Sequence, residues 1–224
     1  MNVIGDIAGR FDELMLLLDK MPKSDFTVYV GDLNDRGPKS KEVIEHVMNS
    51  PESYCAQSNH GDMMVDFYDG IKRYSSEDFL KNGGTATLKS YDCGLHNGDI
   101  RAMVKEFRSK VPESHINWLR DLPYYYENGK VFVSHAAKDP TRSLDSVCTN
   151  YIESIYYNIL WNRGEPGKMD GKLQIMGHNS HWSLKRFGVY NNPYAMCIDG
   201  SKDNMLTGLH VPTLTIYQQE YLSE

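Results

Sequence analysis

Three apolar runs near the N-terminus each end on a polar residue and give way to a turn or helix, and this constrains the fold more than any other feature. "NVIGD" ends at Gly5-Asp6, "FTVYVGD" at Gly31-Asp32, and "SYCAQSNH" at Asn59-His60. Phe11, Leu14, Leu17 and Leu18 follow the first run at helical spacing, and Pro38 opens a second helical stretch, "GPKSKEVIEHVMN". Strands that alternate with helices in this way build an α/β sheet with sites at the strand ends. Polar side chains at those ends can converge on one edge although they lie far apart in sequence.

Further along, residues from about 62 to 122 read as a mostly helical insertion with a break at Asn82-Gly83-Gly84. "WLRDLPYYYENGKVFVSHAA" then gives two strands around Asn128-Gly129, a hairpin signal. "LQIMGH", "YAMCID" and "TLTIY" supply later strands. No linker divides the chain, and 224 residues suit one well-filled domain, so a single domain over 1–224 is expected.

Composition narrows the class of partner. Hydrophobic residues make up 40% and charged residues 24%, as in ordinary soluble proteins. The net charge of -6, with no basic cluster, disfavours tight binding to a long nucleic acid. No apolar run approaches the ~20 residues that cross a bilayer, and no leader pattern opens the chain, so a cytoplasmic protein without membrane contact is expected. Cys55, Cys93, Cys148 and Cys197 are scattered and read as reduced thiols.

The strand-end rule collects a chemically coherent set: Asp6, Asp32, Asn59-His60, His135 at the end of "VFVSH", and His178 at the end of "LQIMGH". Such mixed oxygen and nitrogen donors suit Mn, Fe or Zn better than Ca. One Asp shared by two cations would hold them ~3.5–4 Å apart, the spacing of two-metal hydrolases. Alone, a strand-end Asp ordinarily caps a turn and a buried His is ordinarily just hydrogen-bonded. Their recurrence at successive strand ends points to a metal centre.

In their order, "GDIAG", "GDLNDRG", "SNHGD", "SHAA" and "GHNSH" resemble the signature of the calcineurin-like metallophosphoesterases, and "LWNRG" and "CIDGS" match in order too. The resemblance is to the compact bacterial and bacteriophage Ser/Thr phosphoprotein phosphatases, a signature shared by symmetrical diadenosine tetraphosphatases. It implies two packed mixed β-sheets flanked by helices, and two divalent metals, with Mn first and Fe, Zn or Ni as alternatives. By the same resemblance Asp6 binds the first metal, Asp32 bridges both, and Asn59, His135 and His178 bind the second. His60 is then the general acid, oriented by Asp35. Arg36 and Arg163, with Asn59, hold the phosphoryl group. The implied activity is hydrolysis of phosphomonoesters of the phosphoserine or phosphothreonine type by a metal-activated water. Hydrolysis of diadenosine tetraphosphate or another nucleotide, and non-catalytic binding of a phosphorylated ligand, are the alternatives.

Two departures stand out. The family pattern is D-x-H in the first motif, and this chain has Asp6-Ile7-Ala8; Ala8 offers no donor, so a weakened first metal site is expected. The family's third motif is G-N-H-E, usually after an Arg. Here it reads Gln57-Ser58-Asn59-His60-Gly61, with Asp62 one residue on. A departure outside the metal set favours natural variation over an engineered change. Ser134 and Asn179 read as loop-shaping neighbours of ligands. The run "LPYYYENG" reads as hairpin rather than base-stacking surface. Trp182, next to His181, reads as packed, and Met15, Met63 and Met64 read as core filling. "KNGGTATLKSYD" resembles the segment preceding a helical cap in the phage and diadenosine relatives, and it lacks the spacing of a phosphate-binding P-loop.

Overall fold

Side-chain alternation along very short strands divides the apolar residues between separate cores. The computed structural model describes residues 1–70, 74–148, 157–189 and 192–223. Its first half runs β1 (Asn2–Ile4), α1 (Phe11–Lys20), β2 (Thr27–Tyr29), α2 (Ser40–Met48), β3 (Ser53–Cys55) and α3 (Asn59–Asp69). Four more helices follow: α4 (Ser76–Phe79), α5 (Thr85–Ser90), α6 (Ile100–Lys110) and α7 (Glu113–Arg120). The second half holds β4 (Tyr125–Glu127), β5 (Val131–Ser134), α8 (Leu144–Val147), β6 (Leu173–Met176), β7 (Arg186–Val189), β8 (Asn192–Cys197), β9 (Met205–His210) and β10 (Thr215–Glu220).

The strands form two five-stranded mixed sheets, ordered β10-β9-β1-β2-β3 and β4-β5-β6-β8-β7. Within the first, β1, β2 and β3 are parallel; within the second, β5, β6 and β8 are parallel. Val3, Val28 and Leu209 from one sheet pack with Val131, Val133, Ile175 and Met196 from the other. Their strand neighbours Ile4 and Tyr29 turn instead to a core shared with α1, α2 and the helices between β3 and β4. Phe132, Met176 and Cys197 face smaller clusters on the far side of the second sheet. Period-two alternation thus places two packed mixed sheets between flanking helices, as the resemblance implied.

Several expectations shift in detail. Helix α2 starts at Ser40, two residues beyond Pro38. Leu14 and Leu17 occupy the buried stripe of α1, which leaves Met15 41% exposed rather than core-filling, while Met63 and Met64 are buried. Tyr125 stacks on Phe132 and Tyr126 packs against Phe26 and Tyr54, so the tyrosine run is hairpin. Trp182 packs edge-on against Phe187. The helical reading of residues 71–73 lies outside the described residues. All four cysteines are free. Among the described residues no helix is long and apolar enough to cross a membrane.

Candidate metal centre

Parallel strands bring their C-terminal ends to a common edge, and the chain turns sharply there. Ala8, Asp32, Asp35, Arg36 and His178 all take positive φ, between 46° and 74°. Such left-handed conformations cost of order 1–3 kcal/mol each outside glycine and concentrate at functional sites. Backbone bonds hold the turns together. The N–H groups of Ile7 and Ala8 donate to the Asp32 carbonyl at 3.0 and 2.7 Å, and Gly37 N–H donates to the Ala8 carbonyl at 2.9 Å. The first and second motifs are therefore joined through main chain whatever side chain position 8 carries.

Asp6 lies buried after β1, and its carboxylate accepts the backbone N–H of His178 at 3.0 and 3.2 Å. A Cβ on Gly177 would fall 1.8 Å from Asp6 Oδ1, so only glycine lets β6 deliver that N–H. Ligand atoms of Asp6, Asp32 and His135 all lie within 4.8 Å of one another. His135 donates from Nδ1 to the Val30 carbonyl at 3.1 Å. Burial holds its pKa below the ordinary histidine value, so the ring is neutral and Nε2 carries a lone pair. That lone pair meets Asn59 Oδ1 at 2.7 Å and Asp32 Oδ1 at 3.3 Å. Asp32 Oδ1 is buried and has no hydrogen-bond donor. The 3.3 Å approach brings two acceptors together without a proton between them, an arrangement that a cation stabilises.

Electrostatics agree with that geometry. Burial, then repulsion from Asp199 and Asp32, pushes the Asp6 carboxyl well above its usual range. Burial opposes ionisation of Asp32, but the positive charges of His60 and Arg36 hold its carboxyl well below that range. His178 lies beside the set: its ring centroid is 5.0 Å from that of His135, and its Nε2 is turned to the Trp161 carbonyl at 3.2 Å. Burial above all, with the Arg163 guanidinium acting in the same direction, keeps His178 neutral. Asp6, Asp32 and His135, with Asn59 against His135, thus meet at one edge, and His178 lies next to them. These hard and borderline donors fit a divalent cation of the Mn, Fe or Zn kind.

Beside the cluster His60 Nδ1 pairs with Asp35 Oδ2 at 2.5 Å, and Nε2 lies 3.8 Å from Asp32 Oδ2. Burial lowers the His60 pKa, but the Asp32 charge and the bond to Asp35 outweigh it and raise the value above the ordinary one. Arg36 Nη2 sits 3.1 Å from His60 Nε2, on the exposed side of the loop. Arg163 is exposed at the rim and donates to the His178 carbonyl at 3.3 Å. Ser134 Oγ donates to the Ala136 carbonyl, and Asn179 Nδ2 to the Arg163 carbonyl.

The third motif's departures touch one another. Gln57 Nε2 donates to the Leu119 carbonyl and Gln57 Oε1 accepts from Ser58 N–H. A Cβ at position 61 would come 2.9 Å from Gln57 Oε1, so this placement of Gln57 goes with glycine at 61. Ser58 caps α3 by accepting Gly61 N–H at 3.2 Å. Asp62 accepts the Tyr74 hydroxyl, which also receives Trp161 Nε1–H. Asp199, buried beside Asp6 at the end of β8, escaped the sequence reading although "YAMCID" follows the same strand-end rule.

Residues 2–204 match the profile of the calcineurin-like phosphoesterases. The chain belongs to the calcineurin-like phosphoesterase family. The chain is 30% identical over 159 residues to a symmetrical bis(5'-nucleosyl)-tetraphosphatase of Vibrio vulnificus, covering 68% of this chain and 51% of that protein. It spans about half the length of the curated relatives it matches. A solved structure described as a diadenosine tetraphosphatase superposes with a TM-score of 0.63 at 18% identity, over 100% of this chain and 94% of that one. A protein serine/threonine phosphatase from Saccharomyces cerevisiae gives 0.57 at 15% identity, over 100% and 80%. Both structural likenesses concern the fold; the likeness to protein phosphatases is one of fold alone.

Proposed function

We propose that this phosphoesterase hydrolyses small nucleotide phosphoesters and anhydrides, with dinucleoside polyphosphates as the leading substrate class. The observation that carries the hydrolytic reading is the proton-free meeting of Asp32 Oδ1 and Asn59 Oδ1 at the His135 lone pair. The tetraphosphatase names of the sequence relatives support the substrate class over a phosphoprotein.

Asp6 and Asp32 would hold a first divalent ion, and Asp32, Asn59, His135 and His178 a second, with Mn the first candidate. Bound ions of this kind ionise a water near neutral pH and neutralise phosphoryl oxygens. The chain's own residues supply the rest. Arg36 and Arg163 present guanidinium forks to the phosphoryl oxygens, with Asn59 beside them. His60, held through Nδ1 by Asp35, offers the Nε2 proton to the departing oxygen as the P–O bond breaks. Arg36 leaves His60 Nε2 when a phosphoryl group takes its donors. No covalent phosphoenzyme is formed. Ala8 gives the first position fewer protein donors than the family pattern, so an ion there would be held more weakly.

Parallel assays with added Mn test the reading, using diadenosine tetraphosphate, p-nitrophenyl phosphate and a phosphopeptide. Turnover of the first two, with the higher kcat/KM for the tetraphosphate, is expected. Turnover of the phosphopeptide alone would favour a protein phosphatase. Background rates on all three with retained binding would mark a non-catalytic binder.

A further inference from the structure

The segment "KNGGTATLKSYD" belongs to no strand and supplies none of the site residues named above, yet it lies against the Asp35-Arg36 turn of the centre. Residues 80–84 form a wide turn ahead of α5, with Gly83 at φ +109°. Its carbonyl accepts Arg36 N–H at 3.2 Å, and a Cβ on Gly83 would fall 2.7 Å from that nitrogen. One helical turn on, the Thr87 hydroxyl donates to Asp35 Oδ1 at 2.5 Å and accepts Asp35 N–H at 2.9 Å. Because the single Thr87 proton goes to the carboxylate, Ser40 must donate across the 3.1 Å contact between the two hydroxyls. Asp35, Ser40 and Thr87 are all fully buried. The second oxygen of the same carboxylate takes His60 Nδ1 at 2.5 Å.

We propose that Thr87 is a positioning residue for proton donation: its hydroxyl clamps the Asp35 carboxylate that orients His60. The inference rests on the reading of His60 as the proton donor. The Thr87 bond at Oδ1 and the His60 bond at Oδ2 fix the plane of the Asp35 carboxylate, while the Asp35 N–H is shared between Thr87 and Ser40. Without the hydroxyl, Oδ1 is left buried and unsatisfied, and Asp35 rotates to recover a donor. His60 then no longer aims Nε2 at the leaving oxygen. A merely structural Thr87 would pin α5 to the loop and affect all substrates alike. A positioning Thr87 matters only where the leaving group needs the proton.

The experiment compares Thr87→Val and Thr87→Ser in the full Mn-loaded chain on two esters. Phenyl phosphate has a poor leaving group that needs protonation; p-nitrophenyl phosphate has a good one. Thr87→Val should lower kcat/KM about tenfold on phenyl phosphate and less than about threefold on p-nitrophenyl phosphate. Thr87→Ser, which keeps the hydroxyl, should stay within about twofold on both. A second arm reads the Asp35–His60 bond without turnover. In the Mg-loaded chain, which is diamagnetic, the downfield imidazole proton absent from His60→Gln should persist in Thr87→Ser and be lost in Thr87→Val. If Thr87→Val does not fold, Thr87→Cys, a weak donor, should show the same ester-selective loss. Equal losses on both esters, or an unchanged downfield proton in Thr87→Val, would overturn the proposal. An inactive wild type would instead sink the hydrolytic reading, and the proton spectrum would still decide whether Thr87 holds the pair.

Discussion

At Gly177 there is no room for a side chain, because the Asp6 carboxylate occupies the space a Cβ would fill. Gly177→Ala must therefore displace either Asp6 or the N–H of His178 that Asp6 accepts. We expect the variant to lose divalent-metal binding, read by elemental analysis, while its far-UV circular dichroism stays that of the wild type. Full metal retention would show that Asp6 is dispensable. Position 8 is the converse case. Ala8 sits at φ 49° in a turn closed by backbone bonds, and histidine is among the residues that tolerate such a conformation. Ala8→His should raise metal occupancy and Mn-dependent turnover; no change in either would show that the first site lacks nothing. In sequence Gln57 and Gly61 are two separate departures from the family pattern. In the fold they are one change, because Gln57 lies where a larger residue at 61 would stand.

One carboxylate on helix α6 ties the turn before it to the helix. Glu106 accepts Gly94 N–H at 2.9 Å, meets His96 Nε2 at 2.5 Å and pairs with Lys110 at 2.7 Å. Lys110, then the Gly94 N–H and His96, lower its pKa from 4.5 to about 2. A depressed folded-state value means that the stabilisation is complete above the unfolded pKa and is lost as pH falls through that of the folded state. Glu106→Gln should therefore lower Tm at pH 6 and converge with the wild type towards pH 2, in paired thermal scans. A constant gap across that range would contradict the assignment. Elements also show where sequence was legible. Asp6, Asp32, Asn59, His60, His135 and His178 each follow a strand, so a local pattern finds them. Strand β9 was missed because Gly208 interrupts it, where a Cβ would meet the Met21 sulfur. Thr87 and Gln57 act through segments brought close only by folding, and no local spacing marks them.

Across the whole molecule the two sheets share one apolar seam, and the centre lies where their parallel strands end. Ile175 is fully buried in that seam beside Val133 and Met196. Ile175→Ala should destabilise the fold by about 2–5 kcal/mol in urea unfolding. A loss below about 1 kcal/mol would mean that the seam does not bind the sheets as described. The centre itself draws on both sheets, since Asp6, Asp32 and Asn59 follow strands of one and His135 and His178 follow strands of the other. The most direct test of the central claim is bound divalent metal per chain after dialysis against Mn, measured for wild type and Asp32→Asn together with p-nitrophenyl phosphate hydrolysis. The wild type should retain about one to two ions and turn over substrate, and the variant should lose both. A wild type that retains no metal, or an Asp32→Asn chain that keeps its metal and its rate, would contradict a metal centre built on Asp32.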